Sequence, residues 1–380
     1  MINFISALHI PQGSGLSSLI FSALRWIYNS VGNYGFAIII FTISLRIILL
    51  PMDFGNKYFT KKNAAKMAEF KDEDAALKKL YGNEPMKYLT ARRQMYRKNG
   101  FNPGTTTLFM LVNVAITLFI FITVFQCLTT ISSTNLNRKY QALGTEFVQY
   151  THDNNMDTET FRAQLNTTYT AHNAPFLWVH NIFRPDTWTQ RTPSRAEFNS
   201  ATRNLDLGLD ENATAEEIAA FRNAMYETII ENLNRENREG WNGYFILIVA
   251  AGVTMYFSTQ INMSAMQKKK KAEETSPKEV EVGYSMRKAR DQGTPSDVPQ
   301  INPEAMMKMM KFMMPAIMVF ITFTSTAAFA LYITAGAIVQ TTAGLGSSVI
   351  VDRILKNQEE KTKKPDVINP HSRYFKKQYE

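Results

Sequence analysis

The stretch YGFAIIIFTISLRIILLPM, from Tyr34 to Met52, decides the fold class because it is 19 residues long and contains one charge, Arg46. Roughly 20 apolar residues cross a bilayer core about 30 Å thick, and 18 or more make a candidate transmembrane helix. The stretch therefore predicts a transmembrane span over residues 34–52. It predicts a helical membrane protein, although the mean hydropathy of the whole chain is -0.20.

Three further regions carry no charge: Phe101–Asn137, Trp241–Gln267 and Phe312–Val351. The last is 40 residues long, which is enough for two helices with a hinge near residues 324–328. Together the four regions predict five spans, over residues 34–52, 104–127, 241–263, 306–325 and 327–351. The fold class is an all-α polytopic membrane protein.

The distribution of Lys and Arg predicts the orientation, because cytoplasmic loops are enriched in these residues. Residues 54–103 carry 12 Lys or Arg against 5 Asp or Glu, and residues 352–380 carry 8 against 5. Residues 128–240 carry 10 against 15. We therefore expect the first two segments inside, the third outside, the N-terminus outside and the C-terminus inside. A bacterial plasma membrane is the expected location.

The segments between the spans have distinct compositions. Apolar residues at three- and four-residue spacing predict an amphipathic helix on the outer surface within 1–33. Residues 54–103 predict a cytoplasmic helical hairpin, in which one helix starts at Lys57 and a turn follows Tyr81. Residues 128–240 form an enlarged outer loop domain, with one helix capped by Thr214 and Glu217 that continues toward the span at Trp241. Residues 264–305 are a cytoplasmic linker, and 352–380 are a basic tail.

Catalytic motifs are absent from the sequence. It contains no G-x-x-x-x-G-K-[ST], no H-E-x-x-H and no G-x-S-x-G. Its one cysteine, Cys127, cannot form an internal disulfide, and its five histidines are scattered outside the spans. We therefore predict that the protein is not an enzyme and uses no cofactor or metal.

Arg46 is the feature most indicative of function. An arginine at the bilayer centre costs about 2.5–3.5 kcal/mol on insertion scales, and no span contains an acidic residue or histidine to neutralise it. One interpretation is that Arg46 reaches toward the headgroups along its apolar stem. The other is a water-filled cavity open to the cytoplasm, with Thr42 one turn away on the same face.

Other spans add uncharged polar side chains and a methionine-rich helix start. The candidate groove residues on the spans are Asn113, Thr117, Thr254, Ser258 and Asn262. Interhelical hydrogen bonding is the simpler explanation for them, and a hydrophilic groove around Arg46 is the alternative. Flexible methionines accommodate apolar partners of many shapes, although ordinary packing explains them equally well. The candidate entrance residues are Met309, Met310, Met313 and Met314.

Five segments, in chain order, resemble the YidC/Oxa/Alb family of membrane protein insertases. They are NYGFAIIIFTISLRIILLP (33–51), MYRKNGFNP (95–103), APFLWVHNIFRPD (174–186), MMP (313–315) and ALY (330–332). The resemblance implies movement of hydrophobic segments from the cytoplasm into the bilayer through a groove closed on the outside. It implies that Arg46 and Thr42 face that groove, together with Tyr332 and Ile333. It also implies that no cofactor is used.

The same resemblance implies nascent membrane proteins as partners, with the Sec translocon as a further one. The ribosome is a candidate partner of the basic tail and hairpin, and lipids contact the spans. The sequence departs from the family at Ile333, where a tryptophan is usual, and in an extra outer segment from Thr187 to Gly240. A noncatalytic assembly scaffold is one alternative function. A secondary transporter is another, but no internal repeat supports it.

Overall fold

The computed structural model describes residues 9–81, 84–100, 103–153, 156–210, 212–274 and 303–362. This part of the chain is helical, contains two isolated β-bridges and forms no strand. The helices are α1 (Gly15–Val31), α2 (Tyr34–Glu69), α3 (Lys71–Tyr81), α4 (Pro85–Lys98), α5 (Pro103–His152), α6 (Thr158–Ala171), α7 (Arg195–Ala201), α8 (Ala215–Asn232), α9 (Arg235–Arg238), α10 (Ile246–Glu274), α11 (Pro303–Thr324) and α12 (Ala327–Thr362).

The chain divides into two compact units. The first contains Met1–Arg46 and Phe119–Thr341, and the second contains Ile47–Leu118 and Thr342–Glu380. The points at which the chain passes from one unit to the other lie within α2, α5 and α12.

Within the described residues, three helices are long and apolar enough to cross a membrane, over Tyr34–Asn63, Leu111–His152 and Ala327–Gln358. Two shorter apolar helical segments cover Ile246–Ile261 and Pro315–Thr324. Each of the five predicted spans contains one of these segments or overlaps it. The predicted hinge is confirmed, because α11 ends at Thr324 and α12 begins at Ala327.

Several predicted helix ends are wrong. Helix α2 continues through Pro51 to Glu69, so the arm helix predicted to start at Lys57 is part of α2. Membrane helices in general tolerate proline where neighbouring helices, side chains or water satisfy the carbonyl that it frees. The first break comes at Phe70, after which α3 and α4 form the hairpin. Met95 and Tyr96 are buried there against Phe70 and Leu77.

Helix α5 does not end at residue 127 but extends to His152, well into the segment predicted as outer loop. Its extension continues to bury apolar side chains at helical spacing. Leu128 and Ile131 belong to one core cluster, and Tyr140, Leu143 and Phe147 belong to another. Because successive stretches of the extension pack against these two clusters, no break is needed at the end of the apolar stretch.

The segment from 214 to 246 also differs from the prediction. The capping box of Thr214 and Glu217 is confirmed at the start of α8. That helix ends at Asn232, however, and the short α9 and Gly240, with φ 148°, separate it from α10, which begins at Ile246 rather than Trp241. Residues 264–274 of the predicted linker are helical, and residues 275–302 lie outside the described residues.

The first unit has two apolar cores. One joins α1 to parts of α2, α5, α10 and α12, where Leu24, Ile38 and Phe329 are fully buried. The other packs the end of α5 against α6, α7 and α8 around Phe161, Phe198 and Met225. The amphipathic helix predicted near the N-terminus is confirmed as α1, and its place on the outer surface stays a prediction.

The loop from Ala174 to Asp186 bonds to the starts of two apolar helices, α10 and α12. The Ala327 and Ala328 N–H groups at the start of α12 donate to the Arg184 and Ile182 carbonyls at 2.9 and 3.0 Å. The fully buried Asp186 carboxylate accepts the Tyr244 and Leu247 N–H groups around the start of α10, at 2.8 and 2.6 Å. These bonds satisfy helix-end donors that lack intrahelical partners.

The same loop leaves no space for side chains at two glycines. A Cβ at Gly35, at the start of α2, would lie 2.1 Å from the Phe176 ring. A Cβ at Gly243 would lie 1.9 Å from an Asp186 carboxylate oxygen. The loop therefore closes tightly over this end of the first unit.

Candidate functional site

Arg46 lies against helix α12. A Cβ placed on Gly336 would be 3.3 Å from Arg46 Nη2 and 3.6 Å from Thr42 Cγ2, so the missing side chain at 336 makes room for the guanidinium. The guanidinium therefore faces a neighbouring helix. Charged side chains within membrane spans usually face the bundle interior or a water-filled cavity.

Thr42 is fully buried one turn before Arg46. Its hydroxyl donates to the Ile38 carbonyl at 2.6 Å, within α2. The hydroxyl oxygen keeps a free lone pair, but its proton is committed to the helix. Thr42 therefore contributes packing beside Arg46 and one remaining hydrogen-bond acceptor.

Helix α12, whose Gly336 lies against the Arg46 guanidinium, also carries two predicted groove residues. Tyr332 and Ile333 are buried, at 4% and 7% exposure. Tyr332 lies one turn before Gly336, on the same helix face, and its ring is 6.0 Å from that of Phe329. Sequence reasoning missed Gly336. The available signal was the small-residue run Ala335 to Ala337, since small residues allow membrane helices to approach closely.

No ion pair among the described residues includes Arg46. The described part of the chain also contains no group of three or more His, Cys, Asp or Glu side chains able to hold a metal ion. Arg46 therefore presents a positive charge without a carboxylate partner in the described residues. Such a charge attracts acidic or polar groups from outside the protein.

Helix α10 carries three of the predicted groove residues, all in the first unit. Thr254 donates to the Ala250 carbonyl at 2.7 Å, and Ser258 is 3% exposed one turn later. No described hydrogen bond joins either residue to Arg46. Asn262 is helical, but its side chain lies outside the described residues.

Asn113 and Thr117 belong to α5 in the second unit. Asn113 is 5% exposed, and Thr117 Oγ1 donates to Asn113 Oδ1 at 3.3 Å. The two side chains thus satisfy each other within one helix. This bond is local, and it agrees with the simpler explanation, in which polar groups in a span find protein partners.

Of the four predicted entrance methionines, Met313 is 38% exposed on α11. Met309, Met310 and Met314 lie on the same helix, and their side chains are outside the described residues. Helix α11 packs closely on α10 beyond this point, where a Cβ on Gly252 would come within 2.6 Å of Val319 Cγ2.

The family model described as 60Kd inner membrane protein, the YidC/Oxa1 family, matches residues 26–358. The chain belongs to this family. The family match and the bacterial relatives indicate a bacterial inner membrane protein, which agrees with the apolar helices found here.

Individual relatives of the 60Kd family match shorter segments. A membrane protein insertase YidC from Aromatoleum aromaticum is 35% identical over 101 residues, covering 27% of this chain and 18% of the relative. The YidC insertase of Caldanaerobacter subterraneus is 38% identical over 93 residues, covering 24% and 43%. That of Helicobacter pylori is 37% identical over 84 residues, covering 22% and 15%.

The matched segments thus span less than half of the length of these relatives. No solved structure matches the chain significantly.

Proposed function

We propose that the protein inserts hydrophobic segments of nascent membrane proteins from the cytoplasm into the bilayer. The observation that carries the proposal is the Arg46 guanidinium, placed against Gly336 of α12 without a described carboxylate partner. Family membership and the YidC insertases among the relatives support the same function. The proposal needs no cofactor and no covalent step.

In this proposal Arg46 is the charged centre of a hydrated groove that opens to the cytoplasm and to lipid. Water around the guanidinium lowers the cost of carrying a substrate's polar end part of the way across the bilayer. The apolar helix walls receive its hydrophobic segment. Burial of about 20 apolar residues in lipid then drives the release, because apolar transfer is favourable at about 25 cal/mol per Å².

The remaining predicted residues take supporting roles. Asn113, Thr117, Thr254, Ser258 and Asn262 are proposed to line the groove with Thr42, Tyr332 and Ile333. Met309, Met310, Met313 and Met314 are proposed to form its entrance, where flexible side chains suit varied apolar segments. The loop from Ala174 to Asp186, which bonds to the starts of α10 and α12, supports a groove closed on the outer side.

The proposed partners are nascent membrane proteins, with the ribosome and the Sec translocon as further candidates. The segments expected to face the cytoplasm, 54–103 and 352–380, carry the excess of Lys and Arg. A ribosome presents RNA phosphates, so basic segments suit it. The topology proposed is N-terminus out and C-terminus in.

The test is reconstitution of the purified protein into liposomes with a short single-span substrate, scored by protease protection. We expect protection with wild type, a clear loss with Arg46→Ala and partial retention with Arg46→Lys, because lysine keeps the charge. Thermal unfolding of each variant checks folding. Full protection with Arg46→Ala contradicts a role for the charge, and no protection even with folded wild type favours an assembly scaffold.

A matched glycine pair tests the geometry independently of the charge. Gly336→Val adds a side chain against the Arg46 guanidinium and should reduce protection. Gly346→Val, on the same helix, is the control because a Cβ there meets no atom within 4 Å. Equal protection by the two variants contradicts a role for the Arg46 and α12 contact.

A further inference from the structure

Two tryptophans and a tyrosine lie exposed together beside the start of α10. Trp188, Trp241 and Tyr244 are 59%, 50% and 54% exposed. The Trp188 and Trp241 ring centroids are 5.3 Å apart, with 37° between the ring planes. We call these three residues the aromatic patch. Contiguous exposed apolar surface of this kind usually marks a site of interaction with protein or membrane.

The backbone holds the aromatic patch in a fixed position. Asn242 N donates to Thr189 O at 2.9 Å, and Gly243 N donates to Thr187 O at 3.0 Å. These bonds pair the chain around Trp188 with the chain around Trp241. The Asp186 carboxylate also accepts the Tyr244 N–H. The exposed rings therefore project from a braced segment, which lowers the entropy cost of binding through them.

The aromatic patch continues into the membrane helices. The Trp188 ring lies 4.8 Å from Phe245 at 85°, and Phe245 stacks on Phe323 at 5.9 Å and 18°. Phe245 directly precedes α10, and Phe323 is in the last turn of α11. Both helices carry apolar segments. The patch thus lies where two membrane helices begin and end.

We propose that the aromatic patch inserts into the headgroup region of the adjacent bilayer leaflet and fastens the outer segment to lipid. Tryptophan and tyrosine concentrate at membrane interfaces, where the ring contacts acyl chains and the N–H or O–H group bonds to polar headgroups. Trp188 and Trp241 stand beside the two ends of the segment Thr187–Gly240, so they would fasten that segment at its base.

Charge distribution favours an aromatic anchor over an electrostatic one. Residues 128–240 carry 10 Lys or Arg against 15 Asp or Glu, so the segment gains nothing overall from anionic lipid. The proposed contact should therefore be insensitive to salt and equally strong on zwitterionic phosphatidylcholine. Binding of a basic surface to anionic lipid would instead weaken when salt is added, because salt screens exposed charges.

The experiment uses full-length protein in phosphatidylcholine liposomes, with one tryptophan retained at a time. The chain has four tryptophans, at 26, 178, 188 and 241, and the others are changed to Phe. Fluorescence of the Trp188-only and Trp241-only proteins should be quenched by acyl chains brominated near the headgroup, and little by iodide. Trp178-only is the control, because its indole N–H already donates to Asp186 at 3.3 Å and its ring is half-buried.

Three results would overturn the proposal. Strong iodide quenching without bromolipid quenching would place the patch in water. Protection from both quenchers would mean that a second copy or another protein covers it. Loss of bromolipid quenching in high salt would indicate an electrostatic contact. If a triple-Phe protein fails to fold, the difference between wild type and Trp188→Phe in the same lipids gives the same test.

Discussion

At the residue scale, His180 is a half-buried histidine whose environment favours the neutral ring. Burial, together with the smaller effects of Arg191 and Lys139, lowers its pKa to about 4. The Asn173 side-chain amide donates to His180 Nε2 at 3.0 Å, which requires an unprotonated nitrogen. The folded first unit therefore holds His180 in its uncharged form.

This environment predicts a loss of stability in mild acid. The unfolded chain has a histidine pKa near 6.5, so between about pH 6.5 and pH 4 it binds a proton that the folded protein does not. The contribution is fully present above pH 6.5 and is lost as the pH falls toward 4. We expect the wild-type Tm in detergent to fall more steeply over this range than that of His180→Gln. Parallel curves of Tm against pH for the two proteins would contradict the lowered pKa of His180.

The sequence alone identifies Arg46 as a functional candidate. An arginine in a span stands out because its desolvation cost is large whatever its neighbours are. The contact at Gly336 cannot be predicted in the same way, because it depends on which face of α12 is turned toward α2. Sequence identifies the costly group in a span but not the neighbouring helix that faces it.

At the element scale, hydropathy located the apolar segments, but the helices that contain them do not begin and end with those segments. Absence of charge shows where lipid can cover a helix, but a helix ends where its backbone loses partners or meets a breaker. Helix α5 continues to His152 because Leu143 and Phe147 find a second core. Helix α10 starts late because Gly240 and the left-handed Phe245, with φ 64°, interrupt the chain before it.

The close contact between α10 and α11 gives an element-scale prediction. Gly252→Leu pushes a side chain into Val319, whose Cγ2 would lie 2.6 Å from the new Cβ, so the helices must separate. Overpacking of this kind typically costs about 1–3 kcal/mol. We expect a lower Tm in detergent. Val253→Leu is the matched control, because Val253 is 48% exposed on the same helix and its replacement should leave the Tm nearly unchanged.

An unchanged Tm in Gly252→Leu would contradict close packing of α10 on α11. A similar fall in Val253→Leu would point instead to a general intolerance of α10 toward larger side chains. The pair therefore compares a side chain added at the Val319 contact with one enlarged at an exposed position of the same helix.

At the scale of the whole molecule, the charge pattern predicts which segments share a side of the membrane. Residues 54–103 carry 12 Lys or Arg against 5 Asp or Glu, whereas residues 128–240 carry 10 against 15. Helix α5 runs from the first of these segments into the second. A helix that connects a basic arm to an acidic segment through a charge-free stretch predicts opposite sides for its two ends.

Labelling of single introduced cysteines tests this arrangement. The native Cys127 is 1% exposed and should stay silent toward a membrane-impermeant maleimide. Ser200→Cys, exposed on α7, should be labelled in intact spheroplasts, and Thr90→Cys, exposed on α4, only after the membrane is disrupted. The reverse pattern would invert the topology and put the groove entrance on the wrong side for substrates from the cytoplasm. Labelling of both sites in intact spheroplasts would mean that α5 does not cross the membrane. That result would contradict the proposed route of a substrate from the cytoplasm into the bilayer.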